Sequence, residues 1–242
     1  MKSHFRKSVA FALAGLGIAA MSVAHAATAS QGTEPVAHQS AVRSSASDLR
    51  VVDAEVVSRG VPFSLTRFYH WDPAATPGLL GKGWKLSLEA RLEVFRTTVV
   101  LNDADGTKVT FTKQSDGTYS APEGTAYRLT TTDGGYSLTS DSGNLVRNFD
   151  GPGRLSTVVN GSGEGLKLTY TATGRIASVS DAEGRVARFN TSSTGLLLTV
   201  TLADGGRVTY VYTNEGYLAR VADVVGKVRT YSYDSQGRLI QN

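Results

Sequence analysis

The sequence predicts an all-β protein in which repeated β-hairpins pair into a curved antiparallel sheet or partial shell. Three observations lead to this prediction: a glycine period, aliphatic columns on the same period, and short segments rich in Val, Thr, Tyr and Leu. The glycines recur in steps of ten or eleven residues at Gly153, Gly163, Gly174, Gly184, Gly195, Gly205, Gly216, Gly226 and Gly237. A fixed short period of this kind is typical of a stacked repeat architecture.

Two aliphatic columns repeat every 21 residues. The first comes two residues after every second glycine, at Leu155, Ile176, Leu197, Leu218 and Leu239. The second comes three residues later, at Val158, Val179, Val200 and Val221. Residues three apart lie on opposite faces of a regular strand. Either both faces of the sheet are covered, or a β-bulge after the turn glycine restores the register; we predict the bulge.

The glycines end turns of one chemical type, Asp-x-x-Gly, as in residues 181–184 and 234–237. Asp at the first position accepts a backbone N–H, and Gly at the fourth adopts a positive φ without steric cost. Each 21-residue unit is therefore a two-stranded hairpin. A single hairpin cannot bury its apolar face, so we expect successive hairpins to pair edge to edge.

Aromatic residues form two further columns before the glycines. One column reads Phe149, Tyr170, Thr191, Tyr212 and Tyr233, with a lapse at Thr191. The other reads Leu168, Phe189, Tyr210 and Tyr231. Residues two apart share a face, so Tyr210 with Tyr212 and Tyr231 with Tyr233 form paired stripes. The favoured interpretation is that they fill the inner face of the sheet, and the alternative is that they are exposed and stack on sugar rings.

The chain divides into four predicted segments. Residues 1–26 have a basic start, a short apolar run and an Ala-His-Ala ending, which together are typical of a cleaved signal peptide. Residues 27–48 form a flexible lead-in, residues 49–142 a leading β segment, and residues 143–242 the repeats. The apolar run is shorter than the ~20 residues of a membrane-spanning helix. We therefore expect a periplasmic or secreted protein with no membrane span after signal cleavage.

The charge balance excludes an obvious nucleic-acid footprint. The formal charge of +4 includes three basic residues within 1–26, and their removal leaves 22 Lys and Arg against 21 Asp and Glu. No clustered basic face is visible in the remainder, so we expect no nucleic-acid partner. The chain has no Cys, which excludes disulfides and a lipoprotein anchor.

Candidate catalytic residues are scarce. After signal removal only His38 and His70 remain, and no nucleophilic triad can be assembled from them. Asp103, Ala104, Asp105 and Gly106 resemble the start of a calcium loop, but the remaining ligands are missing. Most other acids fall in turns, so a glycosidase-like carboxylate pair is a remote alternative. We expect no catalytic residue, no metal site and no cofactor.

The chain resembles the Rhs/YD-repeat family. The repeat pattern is carried by residues 170–184, and residues 233–239 are its most faithful copy. Residues 61–69, 78–84 and 100–106 look like the segment that precedes the repeats in bacterial Rhs proteins. Together the resemblance covers residues 49–242, with about five repeats.

The resemblance implies a scaffold. Large Rhs proteins wind many repeats into a hollow β shell around a C-terminal toxin, which is often released by self-cleavage at an Asp-based site. We expect this chain to have no toxin domain, no cleavage region and no spike-tip domain. Its N-terminal signal fits YD-repeat proteins exported to the envelope.

These observations favour an exported, non-enzymatic β scaffold or interaction protein. It would be a short or truncated relative of polymorphic-toxin shells that binds a protein partner, or itself, by strand addition near Leu239. The alternative is a binding module for envelope or extracellular carbohydrate that uses Tyr210, Tyr212, Tyr231 and Tyr233. A secreted hydrolase is the least favoured hypothesis.

Overall fold

The computed structural model describes residues 49–240, and within that range the chain forms 20 strands in four antiparallel sheets and no helix. The prediction of an all-β protein built from antiparallel hairpins is therefore confirmed. No helix long and apolar enough to cross a membrane occurs within residues 49–240. The predicted signal peptide, residues 1–26, and the lead-in, residues 27–48, lie outside the described residues.

The leading segment contributes two small sheets. The first contains β1 (Leu49–Val56), β2 (Phe63–Tyr69) and β3 (Trp84–Leu86). The second contains β4 (Arg91–Val94), β5 (Thr98–Asn102), β6 (Lys108–Lys113) and β7 (Tyr119–Ser120). Each strand in these sheets pairs with its neighbour in the sequence, so the leading segment is made of local antiparallel connections.

The repeats form an 11-stranded sheet in which each strand pairs with the next one in the chain. Its strands are β8 (Tyr127–Thr132), β9 (Gly135–Ser140), β10 (Leu145–Asp150), β11 (Leu155–Asn160), β12 (Gly165–Tyr170), β13 (Ile176–Ser180), β14 (Val186–Thr191), β15 (Leu197–Thr201), β16 (Arg207–Tyr212), β17 (Leu218–Ala222) and β18 (Val228–Thr230). A final hairpin pairs β19 (Ser232–Tyr233) with β20 (Leu239–Ile240). The sheet begins at Tyr127, before residue 143, because β8 and β9 continue the pairing of β10.

The predicted bulge is present in four successive hairpins. In the third of them, Asn190 pairs with Thr199 and Thr191 pairs with Leu197, which leaves one extra residue in β15. The extra residue returns both aliphatic columns to the same face. Leu197 and Val200, three apart in the sequence, are accordingly both fully buried.

The turn chemistry also follows the sequence pattern. In the turn at residues 181–184, Gly184 has φ 77° and donates its N–H to the carbonyl of Asp181 at 3.0 Å. The Asp181 carboxylate accepts the N–H groups of Glu183 and Arg185 at 3.0 and 2.9 Å. Asp and Gly thus fix the turn from its two ends.

The leading segment packs on the face of the repeat sheet that carries the leucine and tyrosine columns, which we call the inner face. Backbone hydrogen bonds join the two parts: the N–H of Leu197 donates to Leu79, that of Lys82 to Gly216, and that of Leu92 to Gly153. Gly81 comes so close that a Cβ there would lie 2.2 Å from the Gly216 carbonyl oxygen. One continuous hydrophobic core therefore includes side chains from the leading segment and from the repeats.

Candidate interaction site: the inner face and the terminal edge

The first pair of predicted stripe residues lies beneath the leading segment. Tyr210 is 3% exposed, and its hydroxyl donates to the Asp53 carboxylate at 3.1 Å. The Tyr212 hydroxyl lies 2.7 Å from the Leu197 carbonyl oxygen and 3.3 Å from that of Leu79. Both rings are therefore engaged in packing between the repeats and the leading segment.

The second pair is covered in the same way. The Tyr231 hydroxyl accepts a hydrogen bond from Arg67 at 3.0 Å. The Tyr233 hydroxyl accepts from the indole N–H of Trp84 at 2.9 Å and donates to the Leu218 carbonyl at 2.7 Å. The four tyrosines that form the predicted ligand stripe thus hold the leading segment against the inner face.

A buried ion pair lies at the centre of this contact. Arg67 donates from Nε and Nη2 to the two carboxylate oxygens of Asp53, at 2.5 and 2.9 Å, and neither side chain is exposed. The guanidinium carbon lies 4.8 Å from the centre of the Trp84 ring and 5.3 Å from that of Tyr231. Charged hydrogen bonds and ring contacts partly offset the desolvation of this pair, while Arg67 Nη1 is buried without a hydrogen-bond partner among the described residues.

The protonation states at the inner face are strongly biased. Burial alone would lower the pKa of Arg67, but Asp53 and Tyr231 outweigh burial and raise it, so the guanidinium stays charged. Burial, reinforced by the charge of Asp53, raises the pKa of Tyr210 well above its ordinary value. The hydroxyl therefore remains a hydrogen-bond donor at neutral pH and is poorly suited to act as a general base.

Sequence reasoning did not single out Asp53 or Arg67. A signal was present, because Phe63, Leu65, Arg67 and Tyr69 alternate along β2 and share one face. A single Arg within an otherwise apolar face indicates a buried ion pair when the strand lies inside the protein. The partner was harder to find, since Asp53 is the extra residue at a register shift in β1 and its side chain does not follow strict alternation.

The residues considered for catalysis have ordinary structural surroundings. His70 is exposed and lies beside the turn that contains Gly106. Asp103 pairs with Arg147 at 2.5 Å, and Asp234 pairs with Arg238 at 2.7 Å. Within residues 49–240 no three His, Cys, Asp or Glu side chains are grouped to hold a metal ion. The acids therefore form turns and ion pairs.

The last hairpin is the 21-residue equivalent of the one before it. Residues 228–233 correspond to β16, although they are divided into β18 and β19, and β20 corresponds to β17. The N–H of Tyr231 still donates to the Ala219 carbonyl at 2.9 Å, so the strand continues along β17 across the break. The repeat register therefore extends to Ile240.

We call the strands β18 and β20 the terminal edge. β18 pairs with β17 on one side, and within the described part of the chain no strand lies on its other side. β20 makes only two residue pairs with β19. Val228 and Ile240 at this edge are 44% and 46% exposed, and Val225 in the preceding turn is 84% exposed. Among the residues that the structure describes, this edge thus combines unpaired backbone positions with exposed apolar side chains.

The fold and this edge define a class of protein, an all-β hairpin-repeat protein whose leading segment covers one face of its sheet. Residues 48–111 match a family model described as Domain of unknown function (DUF6531). This match covers much of the leading segment and ends within β6.

Curated relatives match about half of the chain. The chain is 33% identical over 119 residues to tRNA nuclease WapA of Bacillus subtilis (strain 168), covering 49% of this chain and 5% of that protein. The tRNA3(Ser)-specific nuclease WapA of Bacillus spizizenii matches with the same identity and coverage. The chain therefore spans only 5% of the length of these relatives.

A solved structure is similar at low identity. It is described as the crystal structure of TcdB2-TccC3 without hypervariable C-terminal region. The match has 12% sequence identity and a TM-score of 0.23, and it covers 73% of this chain and 16% of the other.

Proposed function

We propose that this protein is an exported, non-enzymatic β scaffold, related to Rhs/YD-repeat proteins, that associates with a second copy of itself by strand addition at the terminal edge. The observation that carries this proposal is that β18 lies at the edge of the 11-stranded sheet. Interior strands such as β16 have a paired neighbour on both sides, whereas within residues 49–240 β18 has one.

The inner face supports this assignment because it is already occupied. The hydroxyl groups of three stripe tyrosines already have hydrogen-bond partners: Tyr210 binds Asp53, Tyr212 binds a backbone carbonyl, and Tyr233 binds Trp84. Carbohydrate recognition by exposed tyrosine stripes has no specific support in this arrangement. Association is therefore directed to the edge of the sheet.

The chemistry of the edge suits strand addition. An unpaired strand presents alternating N–H and C=O groups to a second strand, and these backbone bonds supply affinity without requiring particular side chains. Exposed Val228 and Ile240 would be buried by an added strand, and each contributes stabilisation by the removal of apolar surface from water. Two copies that meet through the same edge form a closed symmetric dimer.

Export is part of the proposal and rests on residues 1–26, which have the composition of a signal peptide. The nuclease activity that the WapA names describe is not proposed for this chain, which matches only 5% of their length. Mass spectrometry of the protein recovered from the extracytoplasmic fraction tests export directly. Cleavage after Ala26 supports it, and a protein that retains residues 1–26 in the cytoplasm contradicts it.

Strand addition is tested by size-exclusion chromatography with light scattering on residues 27–242. We expect the wild type to form dimers that increase with concentration. The double variant Val228→Lys/Ile240→Lys should remain monomeric, because Lys at an edge disfavours pairing. Val211→Lys is the matched control, since Val211 is 50% exposed on β16, which is paired on both sides.

Equal association of the wild type and the edge variant would overturn the proposal, as would a wild type that stays monomeric at all concentrations. Circular dichroism checks that each variant keeps its β structure. A loss of association in the Val211→Lys control would show that the outer face, and not the edge, mediates contact.

A further inference from the structure

A cavity of about 390 Å³ lies between the leading segment and the turns of the repeats. Leu79, Glu89 and Arg91 line it from the leading segment, and Arg154, Tyr170 and Arg175 line it from the repeats. A volume of a few hundred Å³ is typical of sites for small molecules. Its walls combine apolar side chains with three guanidinium groups.

Arg154, Arg175 and Arg238 occupy the same position of the 21-residue repeat, immediately after a turn glycine. Arg154 shows how this position is normally satisfied. Its guanidinium pairs with the Asp150 carboxylate at 2.7 Å and lies 4.9 Å from the centre of the Tyr170 ring. Arg238 likewise pairs with the acid four residues before it, Asp234, at 2.7 Å.

Arg175 occupies the same position but has lost both partners. Thr171 stands where the acid would be, and its hydroxyl accepts the backbone N–H of Arg175 at 3.2 Å and shares a hydrogen bond with the Thr173 hydroxyl at 2.9 Å. Thr191 stands where the tyrosine would be. Within residues 49–240 the Arg175 guanidinium therefore has no hydrogen bond or ion pair, and it lies half-buried on the cavity wall.

The Arg175 guanidinium packs against the backbone of Gly195. A Cβ at Gly195 would lie 2.6 to 2.8 Å from three atoms of the Arg175 side chain. A Cβ there would displace the end of the flexible Arg175 side chain, and the φ of 97° at Gly195 also disfavours other residues. The Arg175 side chain therefore lies against the Gly195 backbone, and its guanidinium N–H groups make no hydrogen bond within residues 49–240.

The lapse at Thr191 explains why space is left here. Tyr170 and Tyr212 each donate to a carbonyl 15 residues earlier, those of Leu155 and Leu197. A tyrosine at position 191 would by the same rule reach the carbonyl of Ile176 and cover Arg175. Ile176 and Arg175 both line the cavity, so a ring at position 191 would extend into it.

The charge balance of the cavity favours an anion. Glu89 is the acid among its lining residues, and its two oxygens accept the N–H groups of Leu79 and Leu86 at 2.8 Å each. Arg154 is neutralised by Asp150, and Arg91 donates to the Pro152 carbonyl at 3.3 Å. Arg175 is left as an uncompensated cation with a planar set of donors, which suits a carboxylate or phosphate.

We propose that this cavity is a binding site for a small oxyanion-bearing ligand, whose carboxylate or phosphate pairs with Arg175 and whose body packs against Leu79 and Ile176. The site lies away from the terminal edge, so it is independent of strand addition. Its ligand class is defined by the guanidinium fork and by the apolar walls around it.

Isothermal titration calorimetry on the full chain tests this proposal with glucuronate, glucose 6-phosphate and neutral glucose as probes. We expect heat of binding for at least one of the two anions and none for glucose. Binding of glucuronate alone assigns a carboxylate ligand, and binding of glucose 6-phosphate alone assigns a phosphate. Absence of binding by both anions overturns the proposal.

Variants locate the binding. Arg175→Ala should weaken the anion by about tenfold or more, because a charge-assisted bidentate pair is lost. Arg188→Ala is the matched control, since Arg188 is exposed on β14 and does not line the cavity. Equal weakening in both variants would indicate general charge attraction and would contradict a site at Arg175.

Thr191→Tyr tests the cavity itself. We expect the new ring to fill the space, stack on Arg175, abolish anion binding and raise the melting temperature. Thr209→Tyr, on the exposed side of β16, serves as the control for adding a tyrosine to the sheet. A folded Thr191→Tyr protein that binds the anion as the wild type does would contradict the inference.

Discussion

Two consecutive hairpins carry the same sequence pattern but differ in the number of paired residues and in the burial of their leucines: the hairpin of β16 and β17, and the terminal hairpin that follows it. In the first, four residue pairs with a bulge bury Leu218 completely. In the second, two pairs leave Leu239 half-buried. The two leucines occupy equivalent positions of the repeat but differ in burial, because the interior strand β17 is paired on both sides. The difference shows that the burial of one hairpin's side chains depends on the hairpin that pairs with it.

The leading segment connects both hairpins through one buried pair. Asp53 reaches Tyr210 in the interior hairpin, and Arg67 reaches Tyr231 at the start of the terminal one. The leading segment therefore stabilises the final repeats by packing on their inner face. A paired hairpin, by contrast, contacts a repeat along its strand edge.

The largest effect is expected from breaking this pair. Asp53→Ala leaves the Arg67 guanidinium buried and unpaired, and we expect a loss of about 3–5 kcal/mol in the free energy of unfolding, measured by urea denaturation. The double variant Asp53→Leu/Arg67→Met should recover most of the loss, because no charge is then left buried. A single variant as stable as the wild type would contradict the central place of the ion pair.

A smaller loss in the free energy of unfolding is expected when Leu218 or Leu239 is replaced by Ala, and the two losses should differ. Leu218→Ala removes a fully buried side chain, and we expect destabilisation of about 2–4 kcal/mol. Leu239→Ala, at the half-buried equivalent position, should lose about 1 kcal/mol. Urea denaturation at low protein concentration measures both. Equal losses would mean that the terminal hairpin is as well packed as the interior one.

Alkaline pH should weaken the repeats. Burial, with the nearby charge of Asp150 as a second cause, raises the pKa of Tyr170 to about 12. A tyrosine whose pKa is higher in the folded state stabilises the protein below its unfolded pKa, about 10, and this stability is lost as pH rises towards 12.

We therefore expect the free energy of unfolding to fall by about 1 kcal/mol per pH unit over that interval from this residue alone. Tyr170→Phe should show a shallower decline in urea denaturation between pH 9 and 11 (about one unit either side of the ordinary pKa). The same slope in the variant and the wild type would contradict this contribution of Tyr170.

The smallest effect concerns the hydroxyl groups of the aromatic column. Tyr212→Phe removes the donor to the Leu197 carbonyl, and we expect a loss of about 1 kcal/mol in thermal or urea unfolding. Tyr127→Phe is a suitable control, since Tyr127 lies on β8, away from the contact between Leu79 and the repeats. A loss in the control equal to that in Tyr212→Phe would show that the backbone carbonyl bond contributes little.

The periodic part of the fold could be predicted from the sequence because hairpins depend on local signals. The three-residue spacing of Leu197 and Val200 left either a sheet covered on both faces or a bulge, and the pairing of β14 with β15 confirms the bulge that we favoured. The contact between the leading segment and the repeats could not be predicted in this way. Asp53 and Tyr210 are 157 residues apart, and no period relates them.

The tyrosine columns illustrate the same limit. Their register on one face followed from alternation, but whether that face was open or covered depended on where the loop around Leu79 would lie. The free Arg175 was similarly visible only after its position could be compared with that of Arg154 in three dimensions. Non-local packing decided the role of both features.

Amide hydrogen exchange of β18 as a function of protein concentration tests the account most directly. Alternate N–H groups of a strand point to opposite sides, so at least one of the three amides in Val228–Thr230 points away from β17. We predict rapid exchange of this amide in dilute protein and protection at high concentration, with β16 protected throughout. Strong protection of every β18 amide at all concentrations would mean that the edge is already closed, and it would contradict strand addition by a second copy.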